Sequence, residues 1–311
     1  MIPIIRLPAP RVVGVGLLSG WGDGTAAVPE ARPATPPALL AAPTPALEGE
    51  RFRRATRECL LAVAAVRAAA ADAGLDRAAL GGARTGMLYA SATAYAAANR
   101  AFLEDEGSTT LHFPYTAPSA VPGEVTIEFG IRGPYLNLMG GAPAALHGLW
   151  YAARWLAEGT ADRVVVLAVE ALHEVWDLFG RARCLYRRPV VEGAACLLLE
   201  AGAGGELACA STALSARGGA PAVGAVLDAV LGDRMPRLVA CSARHGVERA
   251  ERAALARRAA GATDVGLPGE GFACAPLVGL GRARACGEPG PVLLTGAWRN
   301  EYGALLWPSL I

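Results

Sequence analysis

Cysteine, histidine and lysine are the side chains to weigh first, because thiolates, imidazoles and amines carry most covalent and acid–base chemistry. The 311-residue chain has seven cysteines, at 59, 184, 196, 209, 241, 274 and 286. It has four histidines, His112, His147, His173 and His245, and no lysine, so all 29 basic side chains are arginine. Without lysine there is no Schiff-base amine, no phosphate-loop lysine and no lysine general base. Arginine cannot take those roles, because it stays protonated in proteins. The cysteines are odd in number and lack a CxxC pair, which speaks against a disulfide framework and a zinc site. Buried, reduced thiols are the plain reading. Cys241 and His245, just after an apolar strand, could form a nucleophile pair, although a buried cysteine at a strand end is common. His112 and His173 have no acid or thiol partner in sequence.

The elements that would position these groups alternate between strand and helix. RVVGVGLLS (11–19) reads as a buried strand. Residues 27–49 carry six prolines and read as an extended surface loop. Residues 51–74 form a strong helix closed by glycine, and RTGMLYAS (84–91) a short strand. TTLHFPYTAPSAVPG (109–123) reads as an irregular apolar loop, and 124–131 as a helix or turn. Tyr135–Met139 is a strand candidate, Gly140 and Gly141 a tight turn, and Pro143 suits the first turn of a helix reaching residue 157. Apolar strands follow at 164–171 and 188–200. After a glycine-rich break at 202–205 the pattern restarts: strand, helix, strand (237–243), charged helix (246–261), turn and helix (269–285), closing hairpin (291–308). This order predicts an α/β layered fold in two related halves.

Apolar residues make up 53% and charged residues 18%, enough for a large core or an apolar partner face. The net charge of +1 gives no nucleic-acid footprint. Runs such as 164–169 are too short to cross a bilayer, and MIPIIRLPAPR is not a secretory leader. The expectation is a cytoplasmic protein with neither nucleic-acid nor membrane partners.

The order of these pieces resembles a β-ketoacyl synthase of the thiolase-like superfamily. VVGVGLLSGWG resembles that family's opening strand and turn, and RRATRECLLAVAAVRAAAADAGL its first long helix. GPYLNLMGGAPAALHGLWYAARWLAEGTADRVVVLAVEAL resembles the nucleophile region with the strand and acid that follow. RRPVVEGAACLLLE resembles the strand ending the first half, and CSARHGVERAERAAL the first catalytic-histidine loop and its helix. The resemblance implies a five-layer α-β-α-β-α fold of two βαβαβαββ halves, 1–201 and 202–311, in one domain covering 1–311. It also implies a thiolate on a strand-to-helix elbow. Counted from Gly133-Pro134, that position falls on Ala142. The two histidine positions, the first anchored on Glu251 and Leu255, fall on Ala240 and Glu270. The supporting lysine is absent, and the family's closing Gly-rich turn with Phe is replaced by GAWRNEYG.

Those losses resemble the chain-length factor of type II polyketide synthases, the non-condensing partner of an active ketosynthase. GEVTIEFGIRGP and GEGFACAPLVG are similar to segments of that family. The elbow glutamine usual there is Ala142, and the chain is shorter than standard members, nearer the polyene and aryl-polyene type. The resemblance implies no catalytic residue and no cofactor. Phosphopantetheine-bound acyl chains would reach the partner on an acyl carrier protein. It implies a heterodimer through Tyr135, Leu136, Asn137 and Leu138, with Phe113, Tyr115, Phe129 and Met139 as candidates for the acyl tunnel wall. The role would be setting chain length in antibiotic or other polyketide biosynthesis. Arg181, Arg183, Arg187 and Arg188 could meet the carrier protein, or form a solvated loop. Arg249, Arg252 and Arg257 with Glu248 and Glu251 read as a self-paired solvated face. Two other readings stay open: a diverged acyltransferase using Cys241 or another group, and a carrier-protein docking scaffold without a tunnel.

Overall fold

The computed structural model describes residues 2–31, 33–35, 37–93, 95–104, 113–180, 188–202, 204–214, 219–242 and 247–310. The first half runs β1 (Ile5–Pro8), β2 (Arg11–Ser19), β3 (Gly22–Asp23), β4 (Leu39–Leu40), α1 (Arg57–Asp72), β5 (Thr85–Ser91), α2 (Ala96–Glu104), α3 (Ala120–Phe129), β6 (Tyr135–Met139), α4 (Ala142–Ala157), β7 (Arg163–Glu170), α5 (Trp176–Gly180), β8 (Val190–Val191) and β9 (Gly193–Glu200). The second half runs β10 (Glu206–Ala213), α6 (Gly219–Leu231), β11 (Leu238–Ser242), α7 (Glu248–Arg258), β12 (Thr263–Asp264), α8 (Cys274–Cys286), β13 (Val292–Trp298) and β14 (Glu301–Trp307).

Local chemistry accounts for the element ends. Thr56 caps α1 by accepting from the Cys59 amide. Gly130 and Gly287 end α3 and α8 in the left-handed conformation, which costs glycine little. Helix α3 begins at Ala120, inside the stretch expected to be irregular. Pro122 sits in its first turn, where a missing N–H leaves no bond unmade. Helix α2 was not expected from sequence.

One sheet has the order β3-β2-β9-β7-β5-β6 and the other β1-β10-β14-β13-β11-β12. Apart from the edge strands β3 and β1, the two orders are the same. In each half the first strand pairs antiparallel with the last, the last antiparallel with the fourth, the fourth parallel with the second, and the second parallel with the third. The two halves therefore repeat in topology without repeating in sequence. Helices α4 and α8 lie between the sheets, α1 and α3 cover the first sheet, and α6 and α7 cover the second. Three apolar cores fill the spaces, the central one including Leu146, Leu149, Val166, Leu197, Leu277 and Leu294. This is the five-layer thiolase-like arrangement that the resemblance implied. One boundary differs: β1, from the first half, crosses over to pair with β10 of the second.

Candidate functional site

The elbow forms where β6 turns into α4. Gly141 is the N-cap, Ala142 the first helical residue, and Pro143 lies in the first turn as expected. Ala142 is 1% exposed, and its methyl faces β13: a Cβ built on Gly296 would lie 2.5 Å from the Ala142 Cβ. A Cβ on Gly141 would lie 2.8 Å from Cδ2 and Cε3 of Trp298. The indole therefore covers the elbow on the side where a residue-141 side chain would project. Phe272 meets the same indole edge-on, with centroids 5.5 Å apart at 90°. Its φ of 46° is left-handed, an uncommon state for a non-glycine residue. Leu172, Val190, Trp176 and Phe179 belong to the same apolar cluster.

Ala240 lies within β11, not on a loop, and is buried against Gly279 of α8. It pairs with Leu294, and Gly296 lies two residues further along that strand on the same face. Glu270 is buried at the turn into α8. Its carboxylate accepts from the Phe272 amide at 2.8 Å, and its backbone joins Pro189 and Val191. Neither position presents an imidazole. Arg188 approaches this region from the segment just before β8, paired with Glu248 at 2.8 Å and within electrostatic reach of Glu270 and Glu251.

Two buried carboxyls lie in the two halves, one on β7 and one on α7. Glu170, at the end of β7, accepts from the amides of Ala92, Thr93 and Ala273 at 2.9–3.0 Å and from the Ser91 and Thr93 hydroxyls. It ties the loop after β5 to the start of α8. Glu251, on α7, accepts from the Tyr302 hydroxyl at 2.8 Å. That corrects the expectation of a solvated Glu251: Glu248 and Arg252 pair outside at 2.6 Å, while Glu251 turns inward. Burial pushes both carboxyls up to about 7, against the hydrogen bonds each receives.

The sign of the pH effect follows. Each carboxyl stabilises the fold fully below its ordinary value near 4.5, and that contribution is lost as pH rises through about 7. The size is about 3 kcal/mol per group. Urea midpoints should therefore fall between pH 5 and pH 8. Glu251→Gln should remove about half of that fall, since the Tyr302 hydroxyl can accept from an amide as readily as donate. Equal pH dependence in the two proteins would refute this.

The remaining candidates are dispersed. His147 Nε2 lies 3.4 Å from Glu301 of β14. His173 begins a short turn, its amide donating to Glu192. Burial, with the Glu251 and Asp264 carboxylates, pushes the Cys241 thiol far above its ordinary value. Burial also raises Cys59 and Cys209 to about 12, and Cys274 well above its ordinary value. His112, His245, Cys184, Arg181, Arg183 and Arg187 lie outside the described residues. Phe113 is exposed and packs on Phe102, with centroids 5.9 Å apart. Tyr115 is half-buried beside α1 and α3. Phe129, expected at the tunnel wall, is instead buried in the core under α1.

Strand β6 is the last strand of its sheet, with none on its far side among the described residues. Leu136 and Leu138 pack inward, while Tyr135 and Met139 are 43% and 42% exposed. The Asn137 Oδ1 is buried without a hydrogen-bond partner. Among the described residues no His/Cys/Asp/Glu cluster could hold a metal ion, and no helix is long and apolar enough to cross a membrane.

Residues 40–200 match the family described as Beta-ketoacyl synthase, N-terminal domain, and the chain belongs to that family. It is 34% identical over 130 residues to a Streptomyces violaceoruber protein named as granaticin polyketide beta-ketoacyl synthase 1, covering 38% of this chain. That match takes in 31% of the relative's length. Among solved structures, the ishigamide ketosynthase/chain length factor superposes with a TM-score of 0.79 at 18% identity, over 97% of this chain and 100% of that one. A type II polyketide ketosynthase in complex with its acyl-carrier protein gives 0.75 at 15% identity, over 97% and 99%. A beta-ketoacyl synthase from Burkholderia phymatum gives 0.66 at 17% identity, over 100% of both chains. At these identities the likeness establishes the shared fold.

Trp298 is the feature that residue-by-residue reading missed. The replaced closing turn was visible in GAWRNEYG. The signal for contact was the pair Gly140-Gly141, since two glycines before a helix leave room for a bulky neighbour.

Proposed function

We propose that this chain is a non-condensing, chain-length-factor subunit that pairs with an active ketosynthase in polyketide assembly. The observation carrying this reading is an open, apolar edge strand leading directly into an elbow with alanine at the nucleophile position. A ketosynthase needs a thiolate there, together with groups that stabilise charge on the thioester. Ala142, Ala240 and Glu270 supply neither thiol nor imidazole, and the sequence has no lysine. The partner would then carry the cysteine, the histidines and the decarboxylation, and would receive acyl chains on a phosphopantetheine-bearing carrier protein. This chain would complete the tunnel and limit product length, with Met139 exposed at the open edge of β6. The ketosynthase/chain length factor among the similar structures supports the pairing.

The buried, unpaired Asn137 Oδ1 on β6 supports it further, since a buried acceptor without a donor costs free energy that a partner's N–H would recover. The test is co-expression with a ketosynthase encoded beside this chain, followed by co-purification. A stable monomer that leaves the ketosynthase unbound would overturn the reading. A stable acyl adduct on this chain after incubation with acyl-thioesters would favour an acyltransferase instead. Met139→Asp should weaken the pairing by about a hundred-fold by burying an unpaired charge at the interface. The isolated chain should shift by no more than about 0.5 kcal/mol, because Met139 is exposed there. Unchanged affinity by calorimetry would remove β6 from the interface.

A further inference from the structure

We propose that Trp298 is a built-in plug that closes the elbow of this subunit. The closure is separate from the loss of the nucleophile, and it holds whether or not the chain pairs. Three contacts carry it. The indole lies across Gly141, where an added Cβ would come within 2.8 Å of Cδ2 and Cε3 and 3.1 Å of Cγ. It reaches back to Gly140, whose Cβ position is 3.8 Å from Cδ1. Phe272 braces the indole edge-on from the turn into α8, held by an amide that donates to Glu270 at 2.8 Å.

The covered ground has a chemical character. The first amides of a helix have no partner within it and form its positive end. At an elbow those amides are the natural seat for a thioester oxygen or another anion. An indole over Gly141 removes that seat from solvent. Strand β13 sets its position: Trp298 is the last residue of the strand and pairs with Glu301, and Arg299 takes a left-handed φ of 53° to turn the hairpin. The plug is thus part of the sheet and not a free side chain on a loop. Restoring a nucleophile at residue 142 would leave it walled in by Gly296 and the indole.

The test uses that restored thiol as a reporter. Ala142→Cys, alone and combined with Trp298→Ala, is exposed to iodoacetamide in the full chain. Alkylation at position 142 is followed by peptide mass spectrometry against the exposed Cys286. The expected result is alkylation about a hundred-fold slower than at Cys286 in the single variant, and about ten-fold or more faster in the double variant. A single variant that reacts at the rate of Cys286 overturns the proposal. So does a folded double variant that reacts no faster than the single. If the double variant does not fold, hydrogen exchange of residues 140–147 in Trp298→Leu replaces it. Faster exchange at Gly141 and Ala142 supports the plug, and unchanged exchange overturns it.

Discussion

Replacing Gly16 by alanine should collapse much of the native state. An added Cβ there would overlap the carbonyl oxygen of Ala65 and lie 2.6 Å from the Ala69 amide nitrogen. Both are backbone atoms of α1, so no side chain can rotate to make room. Helix α1 would have to lift from β2, and the core of Leu61, Ala65, Val66 and Leu198 would open with it. The expected loss is about 3 kcal/mol or more, against a typical total of about 5–15 kcal/mol. Adding Ala65→Gly should not rescue the variant, because the obstacle is a carbonyl and not a methyl. Gly224→Ala on α6, with nothing within 4 Å, should be neutral or slightly stabilising. Urea unfolding reads all three. A Gly16→Ala midpoint equal to that of the parent would contradict the close approach.

Arg57→Ala should be at least as damaging. The Glu192 side chain is 0% exposed, and Arg57 holds it through two bonds, of 3.1 and 2.6 Å. The same carboxylate accepts from the amides of Ala42, Leu172 and His173. Burial alone would raise its pKa, but Arg57 and these amides outweigh that and hold the carboxyl below its ordinary value. Removing the guanidinium strands a buried charge, at a cost of about 3–5 kcal/mol. Many buried ion pairs can be replaced by apolar residues with little loss. This one should not be, because Arg57→Met with Glu192→Leu would leave three amides without acceptors. A double variant as stable as the parent would show that the amides find other partners.

Much of this architecture can be read from the residues. Long apolar strands such as 164–171 and the alanine-rich helix α1, followed by the left-handed Gly74, carry their own signals. Gly140 and Gly141 mark the turn between β6 and α4, and Ala142 is the first residue of that helix. The misreadings share one cause, that partners distant in sequence decide the outcome. Strand β1 is four residues whose sheet is set by β10, about 200 positions away, where Arg6 lies opposite Ala208 and its guanidinium donates to Glu206. Glu251 looked like one charge among several on a polar helix. Its inward direction follows from sharing a face with Ala254, which is also buried. Helix α1 is rich in alanine. That richness has a steric purpose, because Ala65, Ala69 and the C-cap Ala73, four apart, are the small surface against which Gly14 and Gly16 lie. Trp298 was hidden because its contact is with a glycine, which has no side chain to announce a neighbour.

The open edge of β6 also bears on how much of this chain a cell can hold. Sheets usually guard an edge with a charge, a proline or a bulge. Tyr-Leu-Asn-Leu-Met has none of these, and β6 pairs with β5 in unbroken register. Such a strand templates pairing with any similar edge, including that of another copy in an incompletely folded state. Surplus copies would be drawn toward aggregates, and a strand laid along β6 would keep them soluble. Synthesis of this protein would then have to be matched copy for copy to whatever covers that edge, so that stoichiometry is written into five uncharged residues.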